Sequence, residues 1–388
     1  MKDKIVAIWS EGFPHKHSAS NEKNFLLAKA LVASGVDVVL TSKLNFNVVD
    51  STNAGVYEGV RYENFHNYKI KSKHIAFCFA IIGELAFLKK LNKEYNNVFL
   101  LASFVFFPLY VFYLCFARSF KVKIILSIME WHISIYKNSS VSKKINAYFF
   151  DTFAPFLSAG SIVISDYIAS QISNQTSKEK VMLIPVLSDF NRVISIPKLY
   201  NQSEKYILYC GGIGYIEVIE LVLESFVACQ NQIDQHLYLI VHGSENQINK
   251  LKSNIASLSV YNRIHVFTAL TYESLIQLYK SADLLLVPLR DNQQDGARYP
   301  QKIAEYSACA RPIISNQIGQ VAVDFKHLEN IYFAEDFSAD SLTKAIVDVL
   351  KNSDLSNKIA NNAFLKGQQC FDCYIYSEPM RIFLNKIK

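Results

Sequence analysis

Apolar residues recur along this chain as short unbroken runs, separated by longer stretches with a helical period. Residues 98–102 and 181–186 are such runs, and the mostly apolar segments 4–9, 36–41, 122–128 and 161–165 are read as strands with them. A strand with one wet face alternates apolar and polar positions, so continuous runs predict parallel strands covered on both faces. Between them, residues 21–33 place Phe25, Ala28, Leu31 and Val32 on one helical face, and Gly35 ends that helix. Residues 71–92, the stretch from Pro108, 142–158 and 166–174 also read as helical, and 56–65 as a short strand. Strand, loop, helix and strand in this order predict a doubly wound α/β domain.

Near residues 196–205 polar residues and proline break the periodicity, which marks a linker. The same alternation then restarts. Strands are expected at 206–210, 236–242, 262–268, 284–288 and 331–333, with another beginning at Ile313. Helices are expected at 216–228, 247–256, 271–281, 338–352, 355–368 and 374–388, with a short one opening at Pro300. Thr271 suits an N-cap and Glu273 adds early negative charge. The predicted organisation is an N-terminal domain over 1–196, a second over 205–370, and a final helical segment over 371–388.

Composition supports two cores. The chain has 388 residues, of which 51% are hydrophobic, enough for two domains of ordinary size. A net charge of +6 fits an anionic ligand or membrane surface and excludes a nucleic-acid signature. Seven cysteines are scattered, and Cys370 and Cys373 form a lone C-x-x-C, read as two unpaired thiols. Reduced thiols and an apolar start too short for a signal peptide, cut by Glu11, predict a cytoplasmic chain. Residues 98–117 hold no charge and reach the length of a membrane span. Ser103 and Pro108 favour instead a strand running into a buried or membrane-facing helix. The greasy N-terminal half reads either as core packing or as a face resting on the inner side of a membrane.

Candidate chemistry gathers where strands end. The stretch 282–315 reads as buried strand, polar loop over 291–296, short helix and second strand. It carries Arg298, Lys302 and Glu305 at or near a helix N-terminus, beside the carboxyl end of a strand, where open α/β sheets bind ligands and helix N-termini favour anions. Ile303, Tyr306 and Ala310 would line the helix face, and Arg311-Pro312 would end it. After 206–210, glycines Gly211, Gly212 and Gly214 would let backbone approach a phosphate. The strand 122–128 ends in Glu130, Trp131 and His132, where His132 is either functional or a satisfied surface histidine. The nine histidines are otherwise dispersed, and no cluster has metal-ligand spacing, so no metal site is expected.

RYPQKIAEYSACARPIIS resembles the donor-site segment of retaining GT-B glycosyltransferases of the family 4 group, in which Tyr-Pro-x-Lys-x-x-Glu-Tyr precedes a small-residue turn and a second strand. TYESLIQLYKSADLLLVPL before it is similar to the matching family segment, and NQIGQV after it matches a loop approaching the donor. The resemblance implies a GT-B fold, with two Rossmann-like doubly wound domains facing a cleft and a last helix crossing back to the first. It implies transfer of a sugar from a UDP- or GDP-sugar, used as co-substrate with no cofactor or metal, to a glycan acceptor. The greasy N-terminal half suggests a lipid-linked acceptor, as in surface polysaccharide assembly.

By the same resemblance Glu305 would bind ribose; Arg298 and Lys302, cations at or near the helix N-terminus, are expected to contact the diphosphate. Tyr306, Gly243, the Gly-rich turn and the backbone around Ala269 would complete the donor side. His132 would lie near the transferred sugar. Gly12, Glu130 and Trp131 would face the acceptor. Three positions depart from the family pattern. Ala297 stands where a first Glu is usual, and Gly212 and Glu217 stand where Arg and Lys are usual. Two other readings follow: a sugar-nucleotide epimerase on the same fold, for which no residue speaks, and a degenerate GT-B subunit partnering another membrane glycosyltransferase.

Overall fold

The structure is a computed structural model that describes residues 2–14, 18–43, 54–65, 70, 72–199 and 204–387. Parts of the predicted first loop (15–17) and linker (200–203), with Lys71 and Lys388 at predicted helix ends, lie outside the described residues. The chain forms two compact units, Met1–Leu187 with Cys373–Lys388, and Ser188–Asp372.

The first unit is built on an eight-stranded sheet. Its strands are β1 (Lys2–Ser10), β2 (Asp37–Ser42), β3 (Ala54–Tyr57), β4 (Val60–Asn64), β5 (Tyr95–Ala102), β6 (Val122–Ile128), β7 (Gly160–Val163) and β8 (Val181–Leu183). Their order is β3-β4-β2-β1-β5-β6-β7-β8, and every pairing is parallel except β3 with β4. The single strand expected over 56–65 is in fact a hairpin. Glu58 and Gly59 both take positive φ, 44° and 81°, the two-residue turn that matches strand twist. Helix Ala19–Ala33 starts where Ser18 accepts a hydrogen bond from the Asn21 amide, and Gly35 (φ 79°) turns the chain into β2.

The second unit holds β9 (Tyr206–Gly212), β10 (His236–His242), β11 (Ile264–Phe267), β12 (Leu284–Val287), β13 (Ile313–Asn316) and β14 (Tyr332–Ala334). They run all parallel in the order β11-β10-β9-β12-β13-β14. The core lies where buried strand side chains meet helices Ile216–Cys229 and Ala339–Lys351.

Boundaries differ from expectation by several residues, for a packing reason. The first unit ends at Leu187 and not at 196, because helix Phe190–Ser195 packs into the second. The Phe190 ring meets Phe364 at 5.6 Å and fills the space beside Gly367. Phe371 likewise packs on Tyr299 and Phe325, so the last segment of the first unit begins at Cys373 and not at 371. That segment is a short 3-10 turn followed by helix Ser377–Lys386, and Met380, Phe383 and Leu384 join the core around helix Ala19–Ala33.

Residues 98–117 resolve into β5 and helix Phe107–Ser119, with Pro108 in the helix's first turn. Among the described residues no helix is long and apolar enough to cross a membrane.

Candidate functional site

The second sheet reverses its winding between β9 and β12. β9 leads outward to β10 and β11 on one side, and β12 to β13 and β14 on the other. Helices after these adjacent strands leave on opposite faces, so a crevice opens at the carboxyl ends. There β9 ends in Cys210-Gly211-Gly212, and β12 runs into Pro288-Leu289-Arg290. Helix Ile216–Cys229 starts at the same edge with no side-chain cap at Tyr215.

Lys302 opens helix Lys302–Ala308 and is half-buried. Its ammonium donates to the Cys210 carbonyl and lies 4.5 Å from the Tyr209 ring centre. Burial pushes its pKa down to about 8. The charge of Arg298 acts in the same direction, while Glu305 and Asp295 oppose it. Glu305 is buried one turn on, and its charge helps to push the Cys210 thiol and the Tyr306 phenol upward, after burial itself. His242, at the end of β10, is held below the usual imidazole range by burial and by Lys302.

Two residues at the centre of this edge escaped sequence reasoning. The loop expected over 291–296 contains a helical turn, Gln293–Ala297, started by the Asn292 side chain accepting from the Asp295 amide at 2.9 Å. It delivers Asp295, with 0% exposure, between two arginines. The Asp295 carboxylate accepts from Arg290 N at 2.8 Å, Arg290 Nε at 3.1 Å, Arg290 Nη2 at 3.0 Å and Arg298 Nη2 at 2.9 Å. Both guanidiniums lie over the Tyr215 ring, at 5.4 Å for Arg290 and 4.3 Å for Arg298. Arg290 also meets Glu217 at 3.3 Å. Arg298 Nε is buried with no partner among the described residues. The departure at 217 is thus answered by an arginine from another strand end. The only signal in sequence was a charged residue directly after a buried strand.

The other expected donor-side residues sort by geometry. Gly211 is required for packing: a Cβ would fall 2.3 Å from the Tyr209 hydroxyl. Gly212 and Gly214 have room around them, and neither takes positive φ. Gly243 lets β10 end against Ile213, where a Cβ would lie 2.2 Å from a side-chain methyl. Ala269 is exposed and takes φ 53°, an uncommon conformation for a residue with Cβ, just before the Thr271 N-cap. Tyr306 does not face the edge. It is fully buried and packs edge-to-face on Tyr279 at 4.7 Å. Ala310 is exposed with φ 51° and ends the helix, so it does not line the buried face. Ala297 is buried, offering only a methyl group where the family has a carboxylate.

In the first unit His132 opens a single turn, His132–Ile135, directly after β6. Its Nδ1 lies 2.8 Å from Asp151 Oδ1, and Asp151 Oδ2 accepts from the Ile133 amide at 2.8 Å. Asp151 is buried and was missed because it sits 19 residues further on, within helix Val141–Leu157. A carboxylate on Nδ1 fixes that nitrogen as the donor and leaves Nε2 to act. Glu130 is exposed, whereas Trp131 is buried and does not offer its ring to open space. Gly12 takes φ 71°, and its amide donates to Ser42 Oγ at 2.7 Å, a backbone position that suits glycine.

Residues 193–366 match the family model described as glycosyl transferases group 1. An uncharacterized glycosyltransferase of Methanocaldococcus jannaschii is 25% identical over 178 residues, 45% of this chain and 42% of that protein. The match therefore spans less than half the length of this curated relative. Sucrose-phosphate synthase from Thermosynechococcus elongatus is similar with a TM-score of 0.78 at 14% identity, covering 99% of this chain and 98% of that one. Anabaena HepE, solved in complex with UDP-glucose, gives 0.72 at 12% identity over 98% and 99%. The fold is that of the GT-B glycosyltransferases, and the second unit carries the group 1 segment.

Replacing Asp295 by Asn leaves two half-buried guanidiniums without their anion. The expected cost is about 3 kcal/mol, since removing one partner of a buried ion pair strands the other. Denaturant unfolding of Asp295→Asn measures it, and an unchanged midpoint would show that the pair is not what holds this edge.

Proposed function

We propose that this chain is a retaining glycosyltransferase that moves a sugar from a nucleoside diphosphate to a glycan acceptor. The observation that carries the reading is the convergence of Glu305, Lys302, Arg298 and Arg290 at the switch point of the second sheet, inside the segment that matches group 1. The UDP-glucose bound by HepE makes the uridine nucleotide the first to test.

The chemistry follows from charge. The bond between the anomeric carbon and the phosphate oxygen breaks, and its electron pair leaves with the diphosphate. An acceptor hydroxyl oxygen forms the new bond and gives up its proton, which leaves with the phosphate or water. Negative charge grows on the leaving group, so cations placed beforehand lower the barrier. Lys302 and Arg298 are assigned to the diphosphate. Arg298 has its Nε unpartnered, while Arg290 is held by Asp295 and Glu217 and shapes the field around it. Glu305 is assigned to the ribose hydroxyls, where an ionised acceptor makes strong hydrogen bonds. His132, oriented by Asp151, is assigned to the transferred sugar, as the family resemblance suggests.

The acceptor is proposed to be lipid-linked, as in surface polysaccharide assembly, with the first unit resting on a membrane. Helix Val141–Leu157 exposes Ile145, Tyr148, Phe149, Phe153 and Phe156 along one face, with Lys143 and Lys144 exposed beside them. Exposed aromatics flanked by lysines suit an anionic lipid surface.

Three measurements test these assignments. Calorimetric titration with UDP, GDP and ADP should find one preferred nucleotide, and Glu305→Ala should weaken it by about tenfold or more. If none binds, the degenerate-subunit reading takes over. Affinity for that nucleotide should stay level below pH 8 and fall above it by up to about tenfold per unit, because the proton leaves the free site before the anion-bound one. Lys302→Arg, which keeps its charge, should flatten the curve. A wild-type curve already flat across pH 8 would remove Lys302 from the diphosphate. Finally, the chain should sediment with vesicles containing anionic lipid, and a Phe149→Ser, Phe153→Ser double variant should stay in solution. Equal sedimentation of the two would rule out this helix as the contact.

A further inference from the structure

Three side chains converge at the other end of the second sheet. His236 opens β10, His265 is second in β11, and Glu204 lies two residues before β9. β10 and β11 pair in parallel with Tyr238 opposite His265. Side chains alternate between faces along a strand, so His236, Tyr238 and His265 share one face. The two imidazole rings are nearly parallel, 15° apart, with centroids at 5.2 Å. Spacing along the chain gave no hint of this group, because its members stand on three separate elements.

The geometry is that of a ligand set. His236 Nδ1 and His265 Nε2 are 2.9 Å apart, and Glu204 Oε2 lies 3.6 Å from the first and 3.7 Å from the second. A triangle with these edges has its centre about 2.0 Å from each corner, the length of a zinc–nitrogen or zinc–carboxylate bond. We propose that Glu204, His236 and His265 bind a divalent transition ion of the zinc type, tying the residue that leads into β9 to the β10–β11 edge. Two imidazoles with one carboxylate select zinc and its neighbours over magnesium or calcium, which prefer oxygen alone. Three protein ligands leave a fourth position for water.

The surroundings support the site. The Tyr238 hydroxyl donates to the same Glu204 oxygen at 3.0 Å, orienting the carboxylate as an outer partner does. Tyr238 is itself stacked on Tyr206 at 3.9 Å, which fixes its ring. The three ligands are 24%, 37% and 42% exposed, so an ion can enter from solvent. β10 is seven residues long, which puts His242 and the nucleotide edge roughly 20 Å away. The ion would therefore brace the sheet and take no part in sugar transfer.

The test uses the full, untagged chain, stripped with a chelator and titrated with zinc alone by calorimetry, with melting followed in parallel. One equivalent should bind and raise Tm. His236→Ala and His265→Ala should each weaken binding by about 100-fold or more, and Tyr238→Phe by about tenfold. Cobalt(II) should give the spectrum of a nitrogen–oxygen set, without a thiolate charge-transfer band. Failure to bind zinc overturns the site. So does equal zinc binding by the His236→Ala, His265→Ala double variant, which would assign the ion to thiols such as the exposed Cys78 or Cys115. Metal-free Tm checks that each variant folds, and nucleotide binding should be unchanged in all of them.

Discussion

A carboxylate shut away from water keeps its charge only when donors meet its oxygens. Asp295 satisfies that condition with a backbone amide and three guanidinium nitrogens, and much of the carboxyl edge of the second sheet is shaped by it. The Gln293–Ala297 turn that carries it is fixed from both sides. Asn292 caps its start, and the backbone of Gly296 is pressed by Gly319, where a Cβ would fall 2.7 Å from the Gly296 carbonyl. Gly319 also takes φ 56°, so the loop after β13 can approach this closely only with glycine there. One buried charge thereby sets the path of two loops and the directions of two arginines.

The formal charges at this edge come close to cancelling. Arg290, Arg298 and Lys302 face Asp295, Glu217 and Glu305, so attraction for an anion must come from placement rather than from excess charge. The three cations differ in what they have left to offer. A guanidinium carries five N–H donors. Arg290 directs its nitrogens to Asp295, Gln294 and Glu217, whereas Arg298 is tied to Asp295 through one nitrogen and has a buried Nε without a partner. Lys302 is a charge whose burial already works against it, and a bound anion would relieve that cost. Arg290 is therefore the most fully tied of the three.

The order of elements was legible because parallel strands covered on both faces are mostly apolar along their length. β6 and β10 match the expected 122–128 and 236–242 end for end. What sequence missed was set by contacts between distant segments. The Phe190 ring shifts the unit boundary because its partner is Phe364, which no local pattern reveals. The Gln293–Ala297 turn contains a glycine and follows a polar run, so composition argued for a loop, and its stability comes from Asn292 and the two arginines. Asp151 looked like one more residue of an amphipathic helix, yet it is buried opposite His132. Tyr306 erred the other way. Its place in a functional motif suggested contact with a ligand, but the helical period turns it towards Tyr279 and the core.

Helix Val141–Leu157 joins two of these findings in the first unit. Its period sets Ala147, Phe150, Asp151 and Ala154 inward and Ile145, Phe149, Phe153 and Phe156 outward, on opposite faces of one rod. The inward face holds His132 through a 2.8 Å contact and a second bond to the adjacent amide. The Phe149 ring of the outward face also meets Phe107, and Asn146 bonds to the backbone of both Val105 and Phe107, so the helix at 107–119 is clamped to it. The element that exposes these aromatics is therefore the one that sets the orientation of His132.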